Sequence, residues 1–145
     1  HIVISLAMLA IPFIAACSEP PPTADATVPG RWYTPAQVAA GAPLYATYCA
    51  SCHADAGSAT AEWRVLDENG NYPPPPLNGS AHTWHHPLDM LDQTIADGGA
   101  PYDGVMPAFG HVLAHEDRLA IIAWFQSLWS DEIYERWASI DGRAR

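Results

Sequence analysis

Cys49-Ala50-Ser51-Cys52-His53 is the stretch whose reading decides the fold. Thiols at this spacing lie about one helical turn apart, so both can bond to the same edge of a flat macrocycle. The histidine that follows is then held under the centre of that ring, where it can bind a metal. Zinc is one rival, but a structural zinc needs four closed ligands, and the only further cysteine is Cys17. A thioredoxin-like dithiol is another, but it expects a strand-helix setting and has no use for His53. The complete Cys-x-x-Cys-His pattern is the attachment site of a c-type haem. Cys49 and Cys52 supply the thioethers, and His53 is the proximal iron ligand.

The surrounding chain sets limits on what such a site can serve. With 145 residues, 49% of them hydrophobic, there is enough for one small domain plus appendages. A porphyrin held covalently would add a large apolar body to its thin core. Acidic residues number 16 against 6 basic ones, all arginine, for a formal charge of -10. That excludes nucleic acid as a partner, since phosphate binding requires a basic face. It suits a partner with a basic docking patch, and it also keeps the surface soluble.

Ile2 to Ala16 is apolar except for Ser5 and Pro12. The run is shorter than the ~20 residues of a spanning helix and matches the apolar region of a secretory signal. It ends in Ile14-Ala15-Ala16-Cys17, which resembles the lipobox of bacterial lipoproteins. The resemblance implies cleavage before Cys17 and lipidation of that residue; a short uncleaved anchor is the alternative. Ser18 to Arg31 is proline-rich and lacks apolar periodicity, so it reads as an extended tether. The expected organisation is a signal or anchor over 1–16, the lipidated Cys17 and tether over 17–33, and a folded domain over 34–145. Attached to a membrane through its N-terminus, that domain lies on the periplasmic side of a bacterial membrane.

Thr34-Pro35 is a helix start, a hydroxyl cap with proline in the first turn. Val38, Gly41, Tyr45, Tyr48 and Cys52 then share one helical face, with Pro43 expected to kink or split the helix. Pro87 to Asp97 reads as a short helix stopped by Gly98-Gly99, with Met90 on it as a core residue. Glu116-Asp117 open another helix through Trp124 to Trp129, and Ser130-Asp131-Glu132 cap a last one reaching Ile140. His82, His85 and His86 suggest copper only weakly, for no soft ligand lies near them in sequence. Trp84 among them has an indole N–H that needs a partner if buried, and a haem propionate is the expected one.

Gly41-x-x-x-Tyr45 leading into Cys-x-x-Cys-His, followed by Gly104-Val105-Met106-Pro107 in a Pro/Gly-rich loop, resembles class I c-type cytochromes. The resemblance covers about Thr34 to Trp129. It implies an all-α fold in which N- and C-terminal helices cross around a covalently bound haem c, with a short extra C-terminal helix. It implies that Gly41 admits the crossing helix at close range and that Trp124 packs on the first helix. It also assigns the Pro76 carbonyl as acceptor of the second ring N–H of His53, with Leu77 beside the haem. Met106 becomes the distal ligand, a soft thioether on a firm loop, with His111 and His115 as competitors. The implied function is single-electron transfer between redox complexes of a respiratory or photosynthetic chain. The alternative is the haem c subunit of a larger dehydrogenase or oxidase complex; neither is an enzyme by itself.

Overall fold

Helix α1 (Pro35–Tyr48) starts where Thr34-Pro35 predicts. Thr34 Oγ1 accepts from the Gln37 N–H at 3.1 Å, and Gln37 Oε1 accepts from the Thr34 N–H at 2.9 Å. This reciprocal pair satisfies two of the orphan donors of the first turn. The computed structural model describes residues 26–143, so the expectations placed on the apolar leader and Cys17 lie outside the described residues. Helix α1 runs unbroken through Pro43, against the expected split. Pro43 is exposed, and the Thr47 hydroxyl donates to its carbonyl at 2.8 Å.

The chain turns at Cys49 into the single-turn α2 (Ala50–His53). It continues through α3 (Leu88–Asp97), α4 (His115–Ser127) and α5 (Asp131–Ile140). Isolated 3-10 turns lie at Asp55–Gly57, Thr83–His85 and Ala100–Tyr102, and the described residues contain no strand. The architecture is all-α, as expected. No helix among the described residues is long and apolar enough to cross a membrane.

The main helix pair is α1 against α4, and Gly41 is where the two backbones meet. A methyl group at position 41 would lie 1.9 Å from the Ala120 carbonyl oxygen and 2.9 Å from Trp124 Cβ. Only hydrogen fits there. One turn further along, the Tyr45 and Trp124 rings stack with centroids 4.1 Å apart. Ile121, Ile122, Ala123 and Phe125 of α4 are buried beneath this contact, and α3 adds Leu91 and Ile95 to the same core.

The Ser130 side chain caps α5, accepting from the Ile133 N–H at 3.3 Å. Trp137 on its inner face is 0% exposed. Burying a side chain of that size contributes about 3 kcal/mol. Its indole N–H donates to the His86 carbonyl at 2.9 Å, and Asp141 Oδ1 accepts from the Leu88 N–H at 2.6 Å. Trp129 Nε1, just before the helix, donates to the Leu77 carbonyl at 2.7 Å. The aromatic face of α5 therefore covers the domain and pins its central loops.

The extended segment ends earlier than Arg31. The Val28 N–H donates to the Tyr33 carbonyl at 2.9 Å, and the Trp32 N–H to the Tyr134 hydroxyl at 2.9 Å. Arg31 lies 3.9 Å above the Tyr134 ring and pairs with Asp131. Residues 28–33 thus belong to the folded body, because Trp32 and Tyr33 are large rings that α5 can bury.

Candidate functional site

Helix α2 is too short to be stable alone and is held from both sides. The Tyr45 hydroxyl lies 2.9 Å from the Ala54 carbonyl and 3.3 Å from that of His53. The latch comes from α1, and sequence reading assigned Tyr45 only to helix packing. Immediately after the latch, Ala54 adopts φ 58°, ψ 169°, a region that side chains other than glycine rarely occupy. The His53 ring is 8% exposed, and its Nδ1 lies 2.8 Å from the Pro75 carbonyl. Bonding there places the proton on Nδ1 and leaves Nε2 as the metal-binding atom. Burial lowers the His53 pKa, against the Pro75 bond, and keeps the ring neutral as a ligand must be.

The acceptor is Pro75, not the expected Pro76. In an extended proline run of about three residues per turn, successive carbonyls point in different directions, so one of them faces the ring. Pro76 is buried instead, and its carbonyl accepts from the Thr83 hydroxyl at 3.3 Å. Leu77 lies beside the site as expected, its N–H donating to the Gly57 carbonyl at 2.7 Å.

These groups open onto a cavity of about 520 Å³, within the ~300–1,000 Å³ typical of cofactor-sized sites. Cys49, Cys52 and His53 line it together with Pro73 to Pro75 and Leu77. Leu91, Ile95, Phe109 and Phe125 make other parts of the wall apolar, and no Asp, Glu, Lys or Arg among the described residues contributes. Met106 lines it as well. Its loop is tied to α3 by backbone bonds, Met106 O to the Gly99 N–H at 2.9 Å and the Phe109 N–H to the Ile95 carbonyl at 3.0 Å. Gly98 makes that approach possible, since a Cβ there would lie 2.6 Å from the Met106 carbonyl oxygen.

Two expectations need correction. Met90 is not a core residue; it is half-buried and lines the same cavity. Trp84 does not line the cavity. Its ring meets His85 edge-on with centroids 3.7 Å apart and lies 5.9 Å from Arg136; Thr83 of the same 3-10 turn is buried, whereas Trp84 packs half-buried against the core away from the cavity. His82 and His86 reach the cavity in its place. His111 and His115 are exposed and off the cavity, His115 lying 3.1 Å from Asp92. The three clustered histidines do not form a metal site; among the described residues no group of three or more ligating side chains converges.

The residues present fit a porphyrin with thioether links and fit the rival chemistries poorly. Cys49 and Cys52 are not joined to each other in a disulfide. Burial, with Cys52 adding, pushes the Cys49 thiol up to about 11, whereas a redox dithiol needs a lowered value. A flat apolar ring attached at both sulfurs would fill the cavity with iron at His53 Nε2.

An all-α domain with crossing terminal helices, a Cys-x-x-Cys-His turn under an apolar cavity and a methionine loop on its wall define a class I c-type cytochrome. The family model described as "Cytochrome C oxidase, cbb3-type, subunit III" matches residues 36–125, more than half of the chain. The chain belongs to that family. No curated protein and no solved structure matches it. It carries covalently bound haem c and is an electron-transfer protein rather than an enzyme.

Proposed function

We propose that this chain carries single electrons on the periplasmic side of a bacterial membrane, held there through its N-terminus by a lipid on Cys17 or by a short anchor. The observation that carries this is the cavity itself, with a neutral, oriented imidazole and a thioether loop on walls free of charged side chains. Haem supplies reversible one-electron ferric/ferrous chemistry when bound. The rest falls to the residues. His53 would hold the iron through Nε2, with Pro75 fixing its tautomer. Met106, on the cavity wall, would supply a second protein ligand and leave no site for a substrate. Leu91, Ile95, Phe109 and Phe125 exclude water, which disfavours the additional ferric charge and raises the potential. The acidic surface docks against a basic patch on the redox partner.

A second reading is favoured by the family match: the domain acts as a haem c subunit inside a respiratory oxidase complex. Mild detergent extraction followed by affinity purification separates the two. A chain recovered alone that exchanges electrons rapidly with a soluble carrier, more slowly as salt rises, supports the mobile carrier. Stoichiometric recovery with oxidase subunits supports the second. Binding of carbon monoxide by the reduced wild-type protein would contradict a closed sixth position in either.

A further inference from the structure

Filling the cavity with haem c, as the proposed function requires, raises a question about its two carboxylates. Among the described residues no arginine or lysine lines the walls, and apart from His53, which is committed to iron, the lining side chains that can become cationic are His82 and His86. Their ring centroids are 5.4 Å apart. The pair is built into the fold from several directions. Trp63, in the loop that precedes the proline run, packs on His82 with ring centroids 4.5 Å apart. The Trp137 indole N–H holds the His86 carbonyl at 2.9 Å, and the Thr83 hydroxyl ties the turn between them to Pro76.

We propose that His82 and His86 form a redox-linked proton site, receiving the haem carboxylates as hydrogen-bond partners and binding a proton when the chain accepts an electron. The balance is simple. One electron arrives from a one-electron donor, one proton from bulk water bonds to an imidazole nitrogen, and both leave on oxidation. Burial lowers the proton affinity of both rings, with His86, His85 and Arg64 adding for His82 and His85 for His86. Carboxylates in the cavity act oppositely, and an extra negative charge on reduction pushes further in that direction. The two influences bring the rings into the range where histidine titrates near neutrality. Nearby charges are paired, Arg136 of α5 with Glu132 and, just past α5, Arg143 with Asp141.

The test is potentiometric titration of the haem-loaded chain between about pH 5 and 8, for wild type and for His82→Gln, His86→Gln and the double variant. Glutamine keeps a hydrogen-bond donor and cannot take the charge. Wild type is expected to show a midpoint potential that falls as pH rises. A tenfold change in proton affinity between oxidation states corresponds to a total fall of about 59 mV. The double variant is expected to be flat, with each single variant in between. NMR titration of the His82 and His86 ring protons in both oxidation states gives the same answer without mutation, their affinity rising about tenfold on reduction. A flat wild-type profile, an unchanged slope in the double variant, or equal proton affinities in the two states overturns the proposal. Any of these with an intact c-type absorption spectrum leaves the haem assignment standing; loss of that spectrum in wild type removes the assignment itself.

Discussion

Replacing Gly41 by alanine tests the helix crossing that supports the whole site. The new Cβ would sit 1.9 Å from the Ala120 carbonyl oxygen, 2.5 Å from its carbon and 2.9 Å from Trp124 Cβ. Real Cβ contacts essentially never fall below 3.0 Å, so α1 and α4 must part by about 1 Å, and the obstructing atoms are backbone that cannot rotate away. Overpacking of this kind costs about 3 kcal/mol, and parting the helices loosens the Tyr45–Trp124 stack as well. Alanine returns about 1 kcal/mol through helix propensity, leaving a net loss of about 2 kcal/mol or more. At about 4 °C per kcal/mol the melting temperature falls by about 8 °C. The assay is thermal and denaturant unfolding of the haem-loaded protein, followed in parallel by far-UV circular dichroism and Soret absorption. Ala40→Gly, on the exposed face of α1, serves as control and loses about 1 kcal/mol through propensity alone. A Gly41→Ala protein as stable as wild type would refute the close crossing.

Met106→Ala would remove the proposed second ligand, so the reduced protein should gain carbon monoxide binding and its potential should drop, whereas Met90→Leu should change neither; the reverse pattern would assign the ligand to Met90. Ala114 precedes α4 without a side-chain cap, while Asp117 already accepts from its N–H at 3.1 Å, so Ala114→Ser completes the reciprocal pair. It should add about 1 kcal/mol in denaturant unfolding, and a loss of stability would show that the turn has no room for the hydroxyl. Ala54→Gly relieves the backbone at φ 58°, ψ 169° and should stabilise by about 1 kcal/mol after glycine's larger unfolded-state entropy is deducted. Destabilisation there would mean that the Ala54 methyl group makes packing contacts that outweigh the strain.

Much of the fold was legible because its signals are local. Thr34 and Pro35 mark the start of α1 in two positions, and Cys49 to His53 specify the attachment turn within five. The crossing at Gly41 was legible through the family resemblance. What escaped depends on direction rather than residue type. Four consecutive prolines each offer a carbonyl, and only the path of the chain decides that Pro75 meets His53. In Thr83-Trp84-His85 the turn decides which side chains face the cavity, and Thr83 reaches it whereas Trp84 does not. Trp63, in a polar stretch without periodicity, gave no sign that it would stack on His82. The Tyr45 latch was hidden because a tyrosine on a buried helical face already has an adequate explanation in packing. Trp32 and Tyr33, large rings at the end of a proline-rich stretch, were the one available signal that the folded body begins before Thr34.

Intact-mass spectrometry of the purified, denatured chain addresses the thioether pair at Cys49 and Cys52 most directly. The wild-type protein should retain the mass of one haem after acid denaturation, and Cys49→Ala/Cys52→Ala should lose it. A wild-type chain at its bare polypeptide mass, colourless after expression with a functioning haem-attachment system, would contradict the covalent porphyrin and the electron-transfer site built on it.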